Sequence, residues 1–244
     1  MSKITTAMCL FDIHVPYHDK DTISIFKKVF KDLQPDHFVI GGDAVDAEHL
    51  GRWTEDTVED GIYATLAELE QFRDEVYEPI VKLSKNKKMK QYWVLGNHEF
   101  RISEALKTKP ERKKLIDLPK MFPDVKIKPY KDFFKIGKLC ITHGEYHNDA
   151  HAKKHASVYM SNVLYGHLHT VQSYTLSSKG RDSVFRATSA PCACTLAPSY
   201  LKGGANSWTH GFVIVSFDSK GNYWMNVIEV HNGMAIVNGK IYNA

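Results

Sequence analysis

Residues 38–46 read Phe-Val-Ile-Gly-Gly-Asp-Ala-Val-Asp, and this stretch constrains the fold more than any other part of the sequence. Its apolar residues predict a buried strand that the two glycines end. Asp43 follows at once, and a carboxylate at the end of a buried strand needs a partner because burying an unpaired charge is costly. Apolar runs that end in a tight turn and then in Asp, Asn or His recur along the chain. We therefore predict that these strand ends converge on a pair of metal ions, with Asp43 between them.

Other polar residues follow apolar runs in the same way. Asp12 and His14 come after the apolar run of residues 7–11. Alternate residues of an extended chain point to the same side, so both can face one site. The remaining strand ends carry Asn97 and His98, then His143, then His167 and His169. Because ligands of open α/β sheets bind at the carboxyl ends of the strands, we expect these side chains to share a site with Asp43.

The order of the predicted elements indicates the fold class. Strands alternate with helices as far as Tyr165, and the rest of the chain reads as period-two strands joined by hairpin turns such as Asn232-Gly233. This order predicts an α/β protein in which two mixed sheets stack as a β-sandwich flanked by helices. The 244 residues contain no repeat and no linker, so we predict a single domain over residues 1–244.

Three segments carry more detailed expectations. Residues 101–120 are predicted to be helical with an interruption at Pro110. A strand is expected within residues 125–134, and the last strand is expected to cover residues 234–242.

Composition excludes several classes of protein. The longest apolar runs are far too short to span a bilayer, so we expect no membrane association. The N-terminal residues lack the pattern of a secretory signal, which predicts a cytoplasmic location. The formal net charge of +4 permits an anionic substrate without requiring nucleic acid. We interpret the four cysteines as reduced thiols of the core, since Cys192 and Cys194 have one spacer residue rather than the two of a zinc or redox pair.

The side chains at the strand ends indicate which metals fit. They comprise two Asp, one Asn and at least four His. Nitrogen and oxygen ligands without thiolate suit Mn²⁺, Fe²⁺, Zn²⁺ or Ni²⁺, and we expect Mn²⁺. One metal ion cannot use seven ligands and still leave room for a substrate. Two ions about 3.5–4 Å apart that share one carboxylate can do so.

Five short motifs occur in a fixed order along the chain. They are Asp-x-His at residues 12–14, Gly-Asp-x-x-Asp at 42–46, Gly-Asn-His-Glu at 96–99, His-Gly at 143–144 and Gly-His-x-His at 166–169. Each motif alone is a weak signal, whereas five in order are a strong one. The set resembles the calcineurin-like metallophosphoesterases, and the resemblance implies a pair of mixed sheets flanked by helices, in agreement with the predicted fold.

The resemblance also implies a role for each motif residue. The first metal ion would be held by Asp12, His14 and His169. The second would be held by Asn97, His143 and His167. Asp43 would bridge the two ions. His98 would face the substrate and protonate the leaving oxygen, and Asp46 would hydrogen-bond His98 and hold it in its charged form.

A binuclear centre of this kind predicts a mechanism. A hydroxide that bridges two divalent ions exists near neutral pH and lies in line for attack on phosphorus, while the ions neutralise the phosphoryl oxygens. The leaving alkoxide needs a proton, which a histidine supplies. We therefore expect direct hydrolysis without a phospho-enzyme.

The substrate is the least constrained property. Protein serine/threonine phosphatases of the superfamily carry Arg-Gly where this chain has Ala47-Glu48. The double-strand-break repair nucleases share the metal motifs, but they carry Gly-Asn-His-Asp and a long capping or coiled-coil extension. We expect a compact phosphodiesterase or nuclease that acts on nucleic acid (DNA or RNA) or on a nucleotide. A phosphomonoesterase acting on a small metabolite or phosphoprotein is the alternative, and a binding protein without catalysis is a third.

Several residues outside the motifs are weaker candidates. Arg101 lies one helical turn after His98 and is expected either to bind a phosphate oxygen or to form a surface salt bridge. Trp53, Tyr146 and Trp208 are candidates for stacking on a base.

Overall fold

The computed structural model describes residues 4–51, 57–178, 183–198 and 206–244. In these residues the strands form a six-stranded sheet, a five-stranded sheet and a separate two-stranded hairpin. Helices flank the two main sheets, so the predicted two-sheet mixed sandwich is confirmed.

The first sheet supplies three of the five strand ends predicted to carry the site. Its strands are β1 (Thr5–Leu10), β2 (His37–Ile40), β3 (Lys90–Val94), β4 (Val125–Lys128), β10 (Gly211–Phe217) and β11 (Tyr223–Glu229). Their order in space is β11-β10-β1-β2-β3-β4, with β1 to β4 parallel and β10 antiparallel to β1. The carboxyl ends of β1, β2 and β3 therefore meet at one edge of the sheet.

The second sheet supplies the other strand ends. Its strands are β5 (Phe134–Ile136), β6 (Leu139–Ile141), β7 (Asn162–Tyr165), β8 (Ser173–Ser178) and β9 (Ser183–Ser189). Their order is β5-β6-β7-β9-β8, and β6, β7 and β9 run parallel. The hairpin of β12 (Met234–Val237) and β13 (Lys240–Asn243) packs on the first helix.

Helices cover the outer face of the first sheet and the far side of the second. They are α1 (Lys20–Leu33), α2 (Val58–Gln71), α3 (Glu78–Val81), α4 (Asn97–Thr108), α5 (Leu118–Met121) and α6 (His151–Tyr159). A π-helical turn, Phe72–Tyr77, joins α2 to α3, and single 3₁₀ turns cover Glu48–Leu50 and Pro110–Arg112. None of the helices in the described ranges is long and apolar enough to cross a membrane.

The hydrophobic core has a layer on each face of the first sheet. Met8 and Leu10 of β1 pack with the helices, in a cluster that includes Phe26 of α1. Ala7 and Cys9, which alternate with them, pack between the two sheets. Because both faces are covered, residues 7–10 of β1 form a continuous apolar run, as buried strands of this kind do. This burial fixes where β1 ends and hence where Asp12 lies.

Three sequence predictions differ from the structure in detail. The predicted interruption at Pro110 is present, since α4 ends at Thr108, but α4 begins four residues before Arg101 and only a 3₁₀ turn and the short α5 follow the interruption. Residues 125–134 hold the whole of β4 and the start of β5, which belong to different sheets. Residues 234–242 form a hairpin that turns at Gly239. In addition, β10 is buried on both faces instead of alternating, since it lies inside the first sheet.

Candidate metal centre

The backbone at the strand ends is tightly turned. Five residues of the predicted site have positive φ, namely Asp12 (51°), His14 (50°), Asp43 (47°), His167 (76°) and His169 (61°). The left-handed region is unfavourable for residues with a Cβ, and such residues cluster at functional sites. The extended conformation that we predicted for Asp12 and His14 is therefore wrong, although both side chains are buried in the same site.

Close backbone packing makes room for the side chains. Gly42 has φ of +95°, and a Cβ there would lie 2.4 Å from Nδ1 of His143. A Cβ on Gly96 would lie 2.1 Å from Oδ1 of Asp43. Gly42 and Gly96, which precede Asp43 and Asn97, must therefore be glycines, because a side chain at either position would overlap a neighbouring residue of the site.

Asp43 occupies the middle of the cluster. Its Oδ1 accepts a hydrogen bond from the backbone N–H of His98 at 2.9 Å. Its Oδ2 lies 3.1 Å from Nε2 of His143 and 3.7 Å from Nε2 of His14. One carboxylate oxygen therefore faces imidazole nitrogens that belong to the two different predicted ligand sets.

The set predicted for the second ion is brought together. Nδ1 of His143 donates to the carbonyl of Gly41 at 3.0 Å, so the Nε2 of the neutral ring is an acceptor. That nitrogen lies 2.9 Å from Oδ1 of Asn97 and 3.1 Å from Oδ2 of Asp43, which are also acceptors. Asp43, His143 and His167 offer ligand atoms within 4.8 Å of one another. Three lone pairs converge here, and a cation satisfies all of them.

The set predicted for the first ion is also brought together. Nδ1 of His14 lies 2.7 Å from a carboxylate oxygen of Asp46, so its N–H donates there. Nε2 of His14 is buried and has no hydrogen-bond partner among the described residues. Asp12, His14 and Asp43 offer atoms within 4.8 Å, and Nε2 of His169 is 3.6 Å from Asp12. One histidine of each set, His14 or His143, thus donates its other ring nitrogen to a carboxylate or a carbonyl, as metal-binding histidines do.

Charge interactions in the cluster match cation binding. Burial alone would raise the pKa of Asp43, but the charges of His143 and His98 hold that pKa well below its usual value. Burial also opposes a charge on His143, yet the carboxylate of Asp43 outweighs it and raises the pKa of His143 to about 9. The negative charge that raises the pKa of His143 would attract a divalent cation in the same way.

Asp46 contacts both His98 and His14. Nδ1 of His98 donates to the backbone carbonyl of Asp46, while the Asp46 carboxylate bonds His14 and lies 3.4 Å from His98. Asp46 therefore contacts His98 chiefly through its main chain, because the carboxylate is already engaged by His14. The ring of His98 lies 4.5 Å from that of His14, at the edge of the cluster.

Among the described residues, Arg101 contacts two backbone carbonyls and His98, and its binding of a phosphate oxygen stays a prediction. Its guanidinium donates to the carbonyl of Asp46 at 3.1 Å, and Nη2 lies 3.3 Å from Nε2 of His98. Arg101 thus contacts both His98 and the loop that follows Asp43.

Glu99 is a functional residue that sequence reasoning missed. Its buried carboxylate accepts hydrogen bonds from the backbone N–H groups of Asp43, Ala44, Val45 and Gly96, at 3.0, 2.7, 3.2 and 2.7 Å. It therefore fixes the turn that carries Asp43 against the start of α4. The available signal was its position three residues after Gly96, the spacing of a capping box.

Cys194 is a second residue that was missed. All four cysteines are buried free thiols, as predicted. Sγ of Cys194, however, lies 3.7 Å from Nδ1 of His169, and Cys194 groups with His14 and His169 within 4.8 Å. The set predicted for the first ion contained no sulfur ligand, but the thiol of Cys194 lies next to it.

The stacking candidates lie in different places. Trp53 falls outside the described residues. Tyr146 packs on His155 of α6, at 4.9 Å between ring centroids. Trp208 packs on His169, at 4.1 Å, and is the one of these described candidates that contacts a predicted ligand.

Comparison with known proteins places the centre in a family. The sequence model of the calcineurin-like phosphoesterases matches residues 12–184. The Gene 54 protein of Mycobacterium phage L5 is 23% identical over 252 residues, which cover 95% of this chain and 96% of that protein. Vacuolar protein sorting 29 from Cryptosporidium parvum has a TM-score of 0.51 at 13% identity and covers 99% of both chains. YfcE, a phosphoesterase from E. coli, has a TM-score of 0.41 at 13% identity and covers 96% of this chain and 97% of its own.

The family match begins at Asp12 and continues past His169, so it contains all five motifs. The likeness to vacuolar protein sorting 29 shows that the sandwich is a shared fold. The chain belongs to the calcineurin-like phosphoesterase family and is a metal-dependent hydrolase of phosphoesters.

Proposed function

We propose that the centre holds two divalent metal ions and hydrolyses phosphodiesters of nucleic acid or nucleotides. The proposed ligands are Asp12, His14 and His169 for one ion, Asn97, His143 and His167 for the other, and Asp43 for both. The observation that carries the proposal is the position of the Asp43 carboxylate, whose Oδ2 faces His143 at 3.1 Å and His14 at 3.7 Å. When bound, such ions activate water and neutralise phosphoryl oxygens.

The remaining residues of the centre would serve the leaving group. His98 lies beside His14 at the edge of the cluster, with its ring fixed by the Asp46 carbonyl. In that position it would protonate the departing oxygen. Arg101, whose Nη2 lies next to the His98 ring, would hold a phosphate oxygen once substrate displaces that contact.

The preferred metal ion follows from the donors. Nitrogen and oxygen atoms make up both sets, which favours Mn²⁺, with Fe²⁺, Zn²⁺ and Ni²⁺ as the other fitting ions. The thiol of Cys194 beside His169 would add a preference for the softer ions at the first position. We also propose that residues 1–244 act as one domain, because the proposed ligands come from both sheets. The cytoplasmic location stays a prediction from the sequence.

Paired substrates test the reaction class. We would assay the Mn²⁺-loaded protein with bis-p-nitrophenyl phosphate and with p-nitrophenyl phosphate. Faster turnover of the diester supports the proposal. Faster turnover of the monoester would support the alternative, a phosphomonoesterase. No turnover of either compound with any of the four metals would support the third alternative, a binding protein without catalysis.

The His98→Ala variant tests the assignment of the proton donor. It is expected to keep both metal ions and to lose at least about 100-fold in kcat, because general acid catalysis contributes about 10²–10⁴-fold. His231→Ala is the matched control, since His231 is exposed at the far hairpin. Loss of metal from the His98 variant would show instead that His98 is a ligand.

A further inference from the structure

An open cleft lies against one side of the centre. Its buried base includes His14 and His169, and its lining also includes Tyr17, Glu48 and Trp208. Asn97, His143 and His167 do not line it. The cleft therefore extends from the side of the first proposed ion, where a group attached to a bound phosphate would lie.

Two aromatic residues of the cleft are tied to the histidines at its base. The backbone N–H of Tyr17 donates to the carbonyl of His14 at 2.6 Å. The ring of Trp208 packs edge-on against His169, and the N–H of the next residue, Thr209, donates to the carbonyl of His169 at 2.9 Å. Both rings are thus placed by the same residues that would hold the metal ion. Aromatic surfaces held in this way suit a planar ligand.

The charges of the cleft exclude some ligands. Asp46 and Glu48 both contribute to its lining, and Glu48 accepts a hydrogen bond from the Tyr17 hydroxyl at 2.9 Å. Among the described residues that line the cleft, none is a lysine or an arginine. A second phosphate would be repelled here, whereas a neutral group with N–H donors would find carboxylate acceptors. A flat, neutral group that bears amino hydrogens is the chemistry of a nucleobase.

We propose that this cleft binds the nucleobase of the substrate, with Trp208 as the main stacking residue. The inference rests on the proposed function, because the base would be placed by its own phosphodiester at the metal centre. It narrows the substrate class to nucleoside phosphodiesters. It also assigns specificity to residues outside the five motifs.

Kinetics on two diesters test the inference. We would compare adenylyl-3′,5′-adenosine with glycerophosphoglycerol, a diester without a base, in the metal-loaded protein. Trp208→Ala is expected to raise KM for the dinucleotide by about 10-fold, because stacking on one base contributes about 1–3 kcal/mol. KM for glycerophosphoglycerol and kcat for both compounds should stay near wild type. Trp208→Phe should restore much of the dinucleotide affinity.

Controls separate stacking from damage to the centre. Trp224→Ala removes an exposed tryptophan of β11 that does not line the cleft, and it should leave both KM values unchanged. The metal content of each variant shows whether His169 still binds the first metal ion. An equal loss on both diesters, or no loss on the dinucleotide, would overturn the inference.

Failure of the proposed function would be recognised separately. If the wild-type protein hydrolyses neither diester, that function is wrong, and the cleft is then tested by binding alone. Adenosine would be titrated into the protein while the indole N–H resonance of Trp208, assigned with the Trp208→Phe variant, is followed by NMR. A shift of that resonance supports base binding in the cleft, and no shift overturns it.

Discussion

At the scale of single residues, Glu99 does more for the centre than its position in the sequence indicates. Four backbone N–H groups donate to one buried carboxylate, and one of them belongs to Asp43. Glu99→Ala is expected to lower the free energy of unfolding by about 3 kcal/mol or more, because several buried donors would lose their acceptor. Urea denaturation measures this change.

A control on the same helix isolates the cause. Glu104 is exposed on α4 and pairs with Lys107 at the surface. Glu104→Ala should change stability by less than about 0.5 kcal/mol. A similar decrease in the free energy of unfolding in both variants would show that the buried hydrogen bonds of Glu99 do not stabilise the protein more than a surface ion pair does.

Glu68 makes a second buried contact next to the centre, with a pH dependence. Its carboxylate accepts from the N–H of Ala47 at 2.7 Å, and burial raises the pKa of Glu68 to about 7. The pKa of Glu68 is therefore higher in the folded protein than in the unfolded chain. The stabilisation contributed by the protonated carboxyl is complete below the pKa of the unfolded chain, and it is lost as the pH rises through about 7. Above that pH the folded chain carries a buried charge.

Glu68→Gln should therefore stabilise the protein in alkaline solution. The amide keeps an acceptor for Ala47 and removes the charge. We expect a gain of about 1–3 kcal/mol at about pH 8 that shrinks towards about pH 5. Thermal unfolding at the two pH values measures it, with Glu70→Gln, an exposed position of α2, as the control. A gain that is the same at both pH values would contradict the assigned pKa.

The residues proposed as metal ligands could be predicted from the sequence, whereas the residues that contact and position them could not. Asp43 and His143 follow apolar runs, so their location at strand ends was readable. Glu99 and Cys194 act on groups that are distant in the sequence or placed by tertiary packing. Local pattern carries no information on such contacts. The hydrogen bond between the Asp46 carboxylate and His14 was not predicted for the same reason.

At the scale of elements, the turn before α4 depends on close contact with the turn after β2. A Cβ on Gly96 would lie 2.1 Å from the Asp43 carboxylate, which is too close for any side chain. Gly96→Ala is expected to displace Asp43 and to reduce metal content by at least about tenfold, as losses of supporting contacts do. Metal analysis of the purified variant measures this.

The comparison variant is Gly239→Ala. A Cβ there meets nothing within 4 Å, and the backbone has φ of +76°. It should cost about 1 kcal/mol in stability through local strain and leave metal content unchanged. Full metal content in Gly96→Ala would show that the turn accommodates a side chain.

Elements were predictable where burial alone decides them. The strand β7 ends at Tyr165, where the alternation of strands and helices was predicted to end, because Gly166 follows its apolar run. The left-handed backbone at Asp12 and His14 was not predictable, since nothing in a local pattern shows a conformation that tertiary contacts impose.

At the scale of the whole molecule, the centre joins the two sheets. Asp12, Asp43 and Asn97 follow strands of the first sheet, whereas His143 and His167 follow strands of the second. The N–H of His167 donates to both oxygens of Asp12, at 3.0 and 2.9 Å, across this boundary. Bound ions would therefore hold the two layers together, with Asp43 at the junction.

The number of metal ions per chain is the most direct test of that arrangement. Elemental analysis after loading with Mn²⁺ and removal of excess metal is expected to give two ions in the wild-type protein. In Asp43→Asn, which removes the charge shared by both ligand sets, it should give close to none. One ion or none in the wild type, or two in the variant, would contradict a binuclear centre organised around Asp43.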